Sequence, residues 1–204
     1  MNILAICSAL NNSYMAFKCN NAEYSEIIKS DENYHSLYLI KKIKDTISKY
    51  SLTLNDFDAL AVNCGPGSFT GIRVALTVSK VMAGELNKPL IPLNTAEILL
   101  NAYQSDYLVM DARRDMYYIG TKNKIELISK DNLEDKLNDF KNKKIVCDKR
   151  SLELLKDAVC YEDKEFDLGK VMLDIAEEKF TSLPKENFNY MNVQANYIQT
   201  PPIF

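Results

Sequence analysis

Histidine is almost missing from this 204-residue chain, which has His35 alone and no tryptophan at all. One imidazole excludes zinc peptidases of the H-E-x-x-H type and most Ser/His or Cys/His hydrolases, which need more histidine or one placed differently. The five cysteines (Cys7, Cys19, Cys64, Cys147, Cys160) show no C-x-x-C spacing. Three of them sit in strand-like runs and read as reduced core thiols. No apolar run approaches the roughly 18 residues a membrane span needs, so no membrane segment is expected. The opening "MNILAICSAL" lacks the basic n-region of a secretory signal and reads as a buried strand, so the expected location is cytoplasmic. Positive charge is also in deficit: the net charge is −3 and the pI about 5.3. The whole chain therefore offers nucleic acid no electrostatic footprint, and any RNA contact is expected to run mainly through a partner.

What is present suits a soluble globular protein: 47% hydrophobic and 26% charged residues, enough for one large domain or two small ones. Ile3 to Cys7 reads as a strand that turns at "SALNNS" and returns as "YMAFKCN", a hairpin. A similar strand, charged turn and returning strand recur at Tyr107 to Asn123, with Leu4 to Ala9 lying over Leu108 to Arg113. This weak internal duplication predicts two similar halves. In the first, "SLYLIKKIKDTISKY" forms an amphipathic helix with Ser36, Leu39, Ile40, Ile43, Ile47 and Tyr50 on one stripe. "DFDALAVNC" follows as a buried strand, "TGIRVALTVSKVMAGEL" as a helix stopped by "NKP", and "PLIPL" as a short strand. The second half alternates in the same way: helix "NLEDKLNDF", strand "KIVCD", helix "SLELLKD", strand "AVCYE" and a final helix "DLGKVMLDIAEEKF". After Pro184 the chain reads as an extended tail along the surface. Such alternation predicts an α/β protein with mixed sheets, divided into halves at 1–100 and 101–204.

The loop "NCGPGSFTGIR" could hold a phosphate, carry a nucleophile or start a partner-binding helix. A strand-to-helix turn does aim backbone N–H groups and the helix dipole at one spot. Its residues fail each phosphate pattern, because no Lys follows Gly71 and the spacing of Gly65, Gly67 and Gly71 is one residue too long for G-x-G-x-x-G. Phe69 stands where a nucleophile elbow needs serine. Ser68 or Thr70 is the expected helix cap. In the helix, Gly71, Ala75, Ser79 and Ala83 recur every four residues as a ridge without bulk. Either a second chain or the protein's own core could cover it. Arg73 lies in the first turn, where the dipole disfavours a cation by a few tenths to about 1 kcal/mol, so a partner's acid, a phosphate or a neighbouring carbonyl should compensate it.

The motif Gly65-Pro66-Gly67-Ser68-Phe69-Thr70-Gly71 with Arg73, together with "NILAICSA", "PLIPLNT" and "MDARRDMYYIG", resembles the TsaB (YeaZ) family over roughly residues 1–120. "ANYIQTPP" is similar to the family's closing segment, with Ile198 and Gln199 in place of Leu and Arg. The resemblance implies an actin-like (ASKHA, ribonuclease H-like) duplicated fold. It further implies a non-catalytic subunit that activates the TsaD threonylcarbamoyltransferase in a complex with the ATPase TsaE, modifying the adenosine beside the tRNA anticodon. Metal and ATP or ADP would then be held by those partners, with no cofactor of its own. The pairing surface it implies uses Leu39, Ile40, Ile43 and Ile47 of the first helix and Arg73, Ala75, Leu76, Ser79, Met82 and Ala83 of the second. The same patch would form a homodimer when the enzyme is absent.

Two departures support an accessory role. TsaD-like enzymes hold metal with an H-x-x-x-H pair, and the residue four after His35 is Leu39. Where actin-like nucleotide sites carry Asp at the end of the first strand, this chain has Cys7 beside Ser8, and a thiol does not replace a hard oxygen ligand. Asp111 survives at the equivalent position of the second hairpin, either as the remnant of a nucleotide cleft or as a turn-former. A free-standing ATPase or kinase using Asp111 is the alternative, and a peptidase the weakest.

Overall fold

The computed structural model describes residues 1–29, 35–122, 124–136, 139–155, 157–163 and 166–198; the side chains of His35, Ser36 and Leu37 are outside this set, as are Gln199 and the residues after it. Within it the chain forms two compact units. The first comprises Met1–Asn94 and Asp167–Asn196, the second Thr95–Phe166 and the chain from Tyr197.

In the first unit β1 (Ile3–Cys7), β2 (Ser13–Cys19), β3 (Ala22–Ile28), β4 (Ala59–Asn63) and β5 (Leu90–Leu93) make one sheet in the order β3-β2-β1-β4-β5. The β1, β2 and β3 strands form an antiparallel meander, while β4 and β5 run parallel to β1 and to each other. Every residue of β1 and β4 is buried. Their unbroken apolar runs follow from cover on both faces, since side chains alternate across a strand. Leu4, Ile6, Met15, Phe17, Leu60 and Val62 point into a core shared with α1 (His35–Lys49) and α2 (Phe69–Leu86). Ala16, between Met15 and Phe17, faces the opposite side and meets α5 (Leu168–Ser182) near Gly169. Asp167 caps α5, accepting the Gly169 amide at 2.9 Å and the Ser25 hydroxyl, and Lys179 Nζ donates to the Pro92 carbonyl at 2.9 Å.

In the second unit β6 (Tyr107–Asp111), β7 (Met116–Gly120), β8 (Ile125–Ser129), β9 (Ile145–Cys147) and β10 (Val159–Cys160) repeat the same order, β8-β7-β6-β9-β10, and the same strand senses. Ile3 pairs with Ala59 in one sheet and Tyr107 with Ile145 in the other, so β1 and β6 begin at equivalent places. The duplication expected from two hairpins is thus a duplication of whole sheets. In this unit α3 (Thr95–Tyr103) approaches Gly120, where an added Cβ would sit 2.8 Å from Ala96 Cβ. The opposite face carries Val109, Ile119, Leu133 from α4 (Lys130–Lys136), Phe140, Cys147 and Leu155.

Several expectations differ from this structure. A break at residue 100 gives α5 and the tail to the second half, whereas Asp167–Asn196 returns to the first unit, because α5 buries its apolar face on β1, β2 and β5. The helix expected over "SLELLKD" is only a 3₁₀ turn at Ser151–Glu153. The β3, β8 and α3 elements were not foreseen. Among the described residues no helix is long and apolar enough to cross a membrane.

The Gly169→Ala substitution brings its Cβ to 2.7 Å from Ala16 Cβ and 2.0 Å from Ser25 Oγ. The hydroxyl can rotate away but the strand's Cβ cannot. A loss of about 1–3 kcal/mol in urea unfolding is expected; an unchanged midpoint would mean that the Gly169–Ala16 approach does not limit how α5 docks.

Candidate functional site

The glycine loop joins β4 to α2 against the turn that closes the β1–β2 hairpin. Gly65 has φ +101° and Gly67 φ +152°, conformations that favour residues without Cβ. Space is as restrictive as backbone angle: a Cβ would lie 2.0 Å from the Ala9 carbonyl oxygen at Gly67 and 1.7 Å from that of Ser8 at Gly71. The Ser68 amide donates to the Ala9 carbonyl at 2.7 Å, and Ser68 Oγ accepts the Gly71 amide at 3.2 Å as the helix cap. Ser68, not Thr70, is therefore the cap. The Asn63 side chain holds the loop's entry by accepting the Gly65 amide at 2.9 Å. Two carbonyl oxygens of the hairpin turn thus lie against the loop where a phosphate cradle would need donors. The loop clamps hairpin to helix.

The ridge of Gly71, Ala75, Ser79 and Ala83 points the same way, and all four residues are buried. Leu39, Ile43, Ile47, Ala75, Leu76, Ser79 and Ala83, expected on a partner surface, are core residues of the first unit, covered by its own sheet and helices. The physical reason is that apolar periodicity marks the face turned from water, and in this chain the covering surface is its own. Of the ten expected positions, only Ile40 (58% exposed), Arg73 and Met82 retain surface, Met82 in part. The outward stripe of α2 is instead Arg73, Thr77, Val81 and Glu85, with Val81 59% exposed. Spaced four apart, these share one helix face. On α1 the outward residues include Tyr38, Ile40, Lys41, Lys44 and Asp45. Sequence reading missed Thr77, Val81 and Glu85; their shared four-residue spacing with Arg73 was the available signal. Arg73 finds its compensation one turn back, with the guanidinium carbon 4.5 Å from the centre of the Phe69 ring. Exposed contacts of this kind contribute about 0.5–1 kcal/mol, enough to offset the dipole's opposition.

At the ends of the central strands, Cys7, Ser8 and Asn63 are buried. The Cys7 thiol accepts from the Asn63 amide at 3.3 Å. Burial pushes its pKa up, against the smaller opposing pull of that hydrogen bond, so the thiol stays neutral and unreactive. Asp111 lies in the second unit. Its Oδ1 accepts the Arg113 amide at 3.0 Å and its Oδ2 the Arg150 guanidinium at 2.9 Å, while its own N–H donates to Asp148 at 2.6 Å. Its carboxylate organises the β6–β7 turn, in which Arg113, Arg114 and Asp115 all have positive φ. Asp111 is a turn-former with both oxygens engaged.

A family model described as TsaD, tRNA N6-adenosine threonylcarbamoyltransferase, matches residues 24–154, well over half of the chain. Among curated proteins, the chain is 33% identical over 102 residues to the tRNA threonylcarbamoyladenosine biosynthesis protein TsaB of Buchnera aphidicola subsp. Baizongia pistaciae, covering 50% of this chain but only 45% of that one. The TsaB of Buchnera aphidicola subsp. Schizaphis graminum is 26% identical over 161 residues, covering 71% and 76%. Among solved structures, an uncharacterised Pseudomonas aeruginosa protein with similarity to peptidase YEAZ superposes with a TM-score of 0.76 over 97% of this chain and 99% of that one, at 15% identity, a likeness of fold.

Two substitutions separate core from surface roles. Gly71→Ala gains about 1 kcal/mol of helix propensity but drives a Cβ into the Ser8 carbonyl. The clash outweighs the gain, and net destabilisation of about 2 kcal/mol is expected. The Ser79 hydroxyl is buried with no hydrogen-bond partner, so Ser79→Ala should leave thermal stability unchanged or raise it by about 1 kcal/mol. A large loss at Ser79 would place its hydroxyl in a contact absent from this structure. All five cysteines are buried. With the native protein at pH 8, an aromatic disulfide reagent should titrate almost no thiol within minutes, and all five in denaturant.

Proposed function

Since the chain belongs to the TsaB/YeaZ family, we propose that it is a non-catalytic partner subunit that binds and activates a TsaD-type threonylcarbamoyltransferase in forming threonylcarbamoyladenosine beside the tRNA anticodon. One observation carries the reading: α1 and α2 keep an outward surface with Ile40 and Val81 more than half exposed. Large aliphatic side chains left exposed on two helices that pack against each other suit burial against another protein. The transferase and the ATPase TsaE supply metal and nucleotide in this reading, and the acidic chain reaches tRNA through them.

Absent the enzyme, the same face pairs with itself. In an antiparallel two-fold arrangement of α2 centred on Ser79, residue i opposes residue 158 minus i. Arg73 then meets Glu85 of the other copy and Thr77 meets Val81, so the exposed stripe is complementary to itself in charge. The rival reading, a free-standing ATPase or kinase using Asp111 as its metal ligand, requires that carboxylate to leave both Arg150 and the Arg113 amide. No feature of the glycine loop favours it.

Co-purification with the same organism's transferase homologue, read by light scattering, tests the proposal. Val81→Glu should abolish the heterodimer while leaving the melting temperature within a few degrees, because Val81 faces solvent. Ala75→Glu would instead unfold the core and reveal nothing about pairing. Retained pairing in Val81→Glu, or ATP turnover by the chain alone that Asp111→Asn abolishes, would defeat the reading. For the homodimer, Arg73→Glu should weaken self-association, and adding Glu85→Arg should restore it.

A further inference from the structure

The chain beyond α5 passes through a 3₁₀ turn at Lys185–Phe188 and returns along α2 toward that helix's start. Phe188 stacks on Phe180, their ring centres 5.8 Å apart. The Tyr190 ring then packs on Gly84, where an added Cβ would lie 3.2 Å from it. Val193 is buried in the core that α2 shares. Near the end of this strap the Asn196 amide donates to the Cys64 carbonyl at 2.8 Å, just before the glycine loop. The strap therefore follows α2 from its last turns back to its entry.

Between Tyr190 and Val193 the chain makes a tight turn. The Asn192 amide donates to the Asn189 carbonyl at 3.0 Å, the Met191 amide to Asn189 Oδ1 at 3.0 Å, and Lys80 Nζ to the Met191 carbonyl at 3.5 Å. Each neighbour of Met191 is anchored, yet its own side chain is 66% exposed, more than any other large apolar residue described. Helical geometry places this turn. At about 100° per residue, Lys80 and Gly84 lie on one flank of α2, while Val74, Val78 and Met82, half-buried against the core shared with α1, lie on the other. The exposed stripe of Arg73, Thr77, Val81 and Glu85 runs between them.

We propose that the turn at Asn189–Asn192 is part of the partner-binding surface, with Met191 as an apolar anchor that extends the α2 stripe on the side away from α1. The inference rests on the proposed pairing of this face with a threonylcarbamoyltransferase, and that enzyme is the occupant. Two observations support this choice. The strap surface is continuous with the α2 face proposed for that partner, and the transferase family model matches residues 24–154, the stretch that contains α1 and α2. A fixed backbone removes most of the ordering cost of burying Met191, while its unbranched thioether adapts to the shape it meets.

Titration calorimetry of the full chain with the same organism's transferase, using Met191→Asp, Met191→Leu and Val81→Asp, tests it. Met191→Asp should weaken binding by roughly tenfold or more, Met191→Leu by less than about threefold, and neither should change the thermal melt. Wild-type affinity in Met191→Asp, with binding lost in Val81→Asp, would overturn the strap's role and leave the α2 face standing. Wild-type affinity in both variants would overturn the partner reading itself. If the transferase does not bind but Met191→Asp reduces self-association, the occupant is a second copy and the assignment to the enzyme fails.

Discussion

The first unit depends on how closely α2 approaches the hairpin turn. Gly67 and Gly71 lie against the carbonyls of Ala9 and Ser8, too near for any side chain. That approach sets the depth of the helix on the sheet, and Ala75, Ser79 and Ala83 maintain it along the next three turns. Depth then determines which residues face water. With the small ridge turned inward, Arg73, Thr77, Val81 and Glu85 are turned outward, and the strap finds its groove beside Lys80 and Gly84. A bulkier ridge would lift the helix, leave a void above β1 and β4, and expose Val193. The loop's sequence is thus accounted for by packing, even though its place between strand and helix is that of a phosphate loop.

The two sheets share one topology but have diverged at their strand ends. After β6, Asp111 accepts the Arg113 amide and the Arg150 guanidinium, which fixes a turn containing three residues of positive φ. Left-handed backbone costs L-residues roughly 1–2 kcal/mol each, so the turn needs such fixing. After β1 there is no carboxylate, and the glycine loop provides the fixing through the Ser68 amide. Equivalent positions therefore stabilise equivalent turns by different chemistry, in neither case one that leaves a carboxylate free for a metal. Burial raises the pKa of Cys7, which makes the first strand end chemically quiet as well.

How much of this was legible in the sequence depended on whether the determining contact was local. The β1 and β6 hairpins and α2 with its Asn87 stop were readable, because alternation, periodicity and a capping serine are all local signals. The β3 strand was not, since "AEYSEII" mixes charge with apolar residues as an edge strand with one wet face does. The α3 helix is only nine residues long and lacks the span over which periodicity is convincing. The return of α5 to the first unit is a tertiary fact, produced by Gly169 fitting against Ala16 some 150 positions earlier. Most residues named for the pairing surface lie in the core, for a different reason. Apolar pattern finds the buried face, so Leu39, Ile43, Ile47 and Ala75 belong to the core, while the outward row of α2 is marked only by its four-residue spacing from Arg73.

The composition of the outward surface constrains what a partner of the proposed face can be. Its outward α2 residues are one cation, one anion, two hydroxyls (Thr70 and Thr77) and one aliphatic, too few apolar groups for a permanently associated interface, which resembles a core cut in half. Ile40 on α1 and Met191 on the strap add apolar area on either side, so useful affinity requires contact across all three elements at once. Charges at the two ends of the α2 stripe give such a contact direction, since reversing the helix would bring like charges together. Under the proposed function, a surface of this kind favours a subunit that exchanges partners over one locked to a single partner. Self-pairing and pairing with an enzyme would then compete for the same few side chains, and the copy of this chain on one partner would be unavailable to the other.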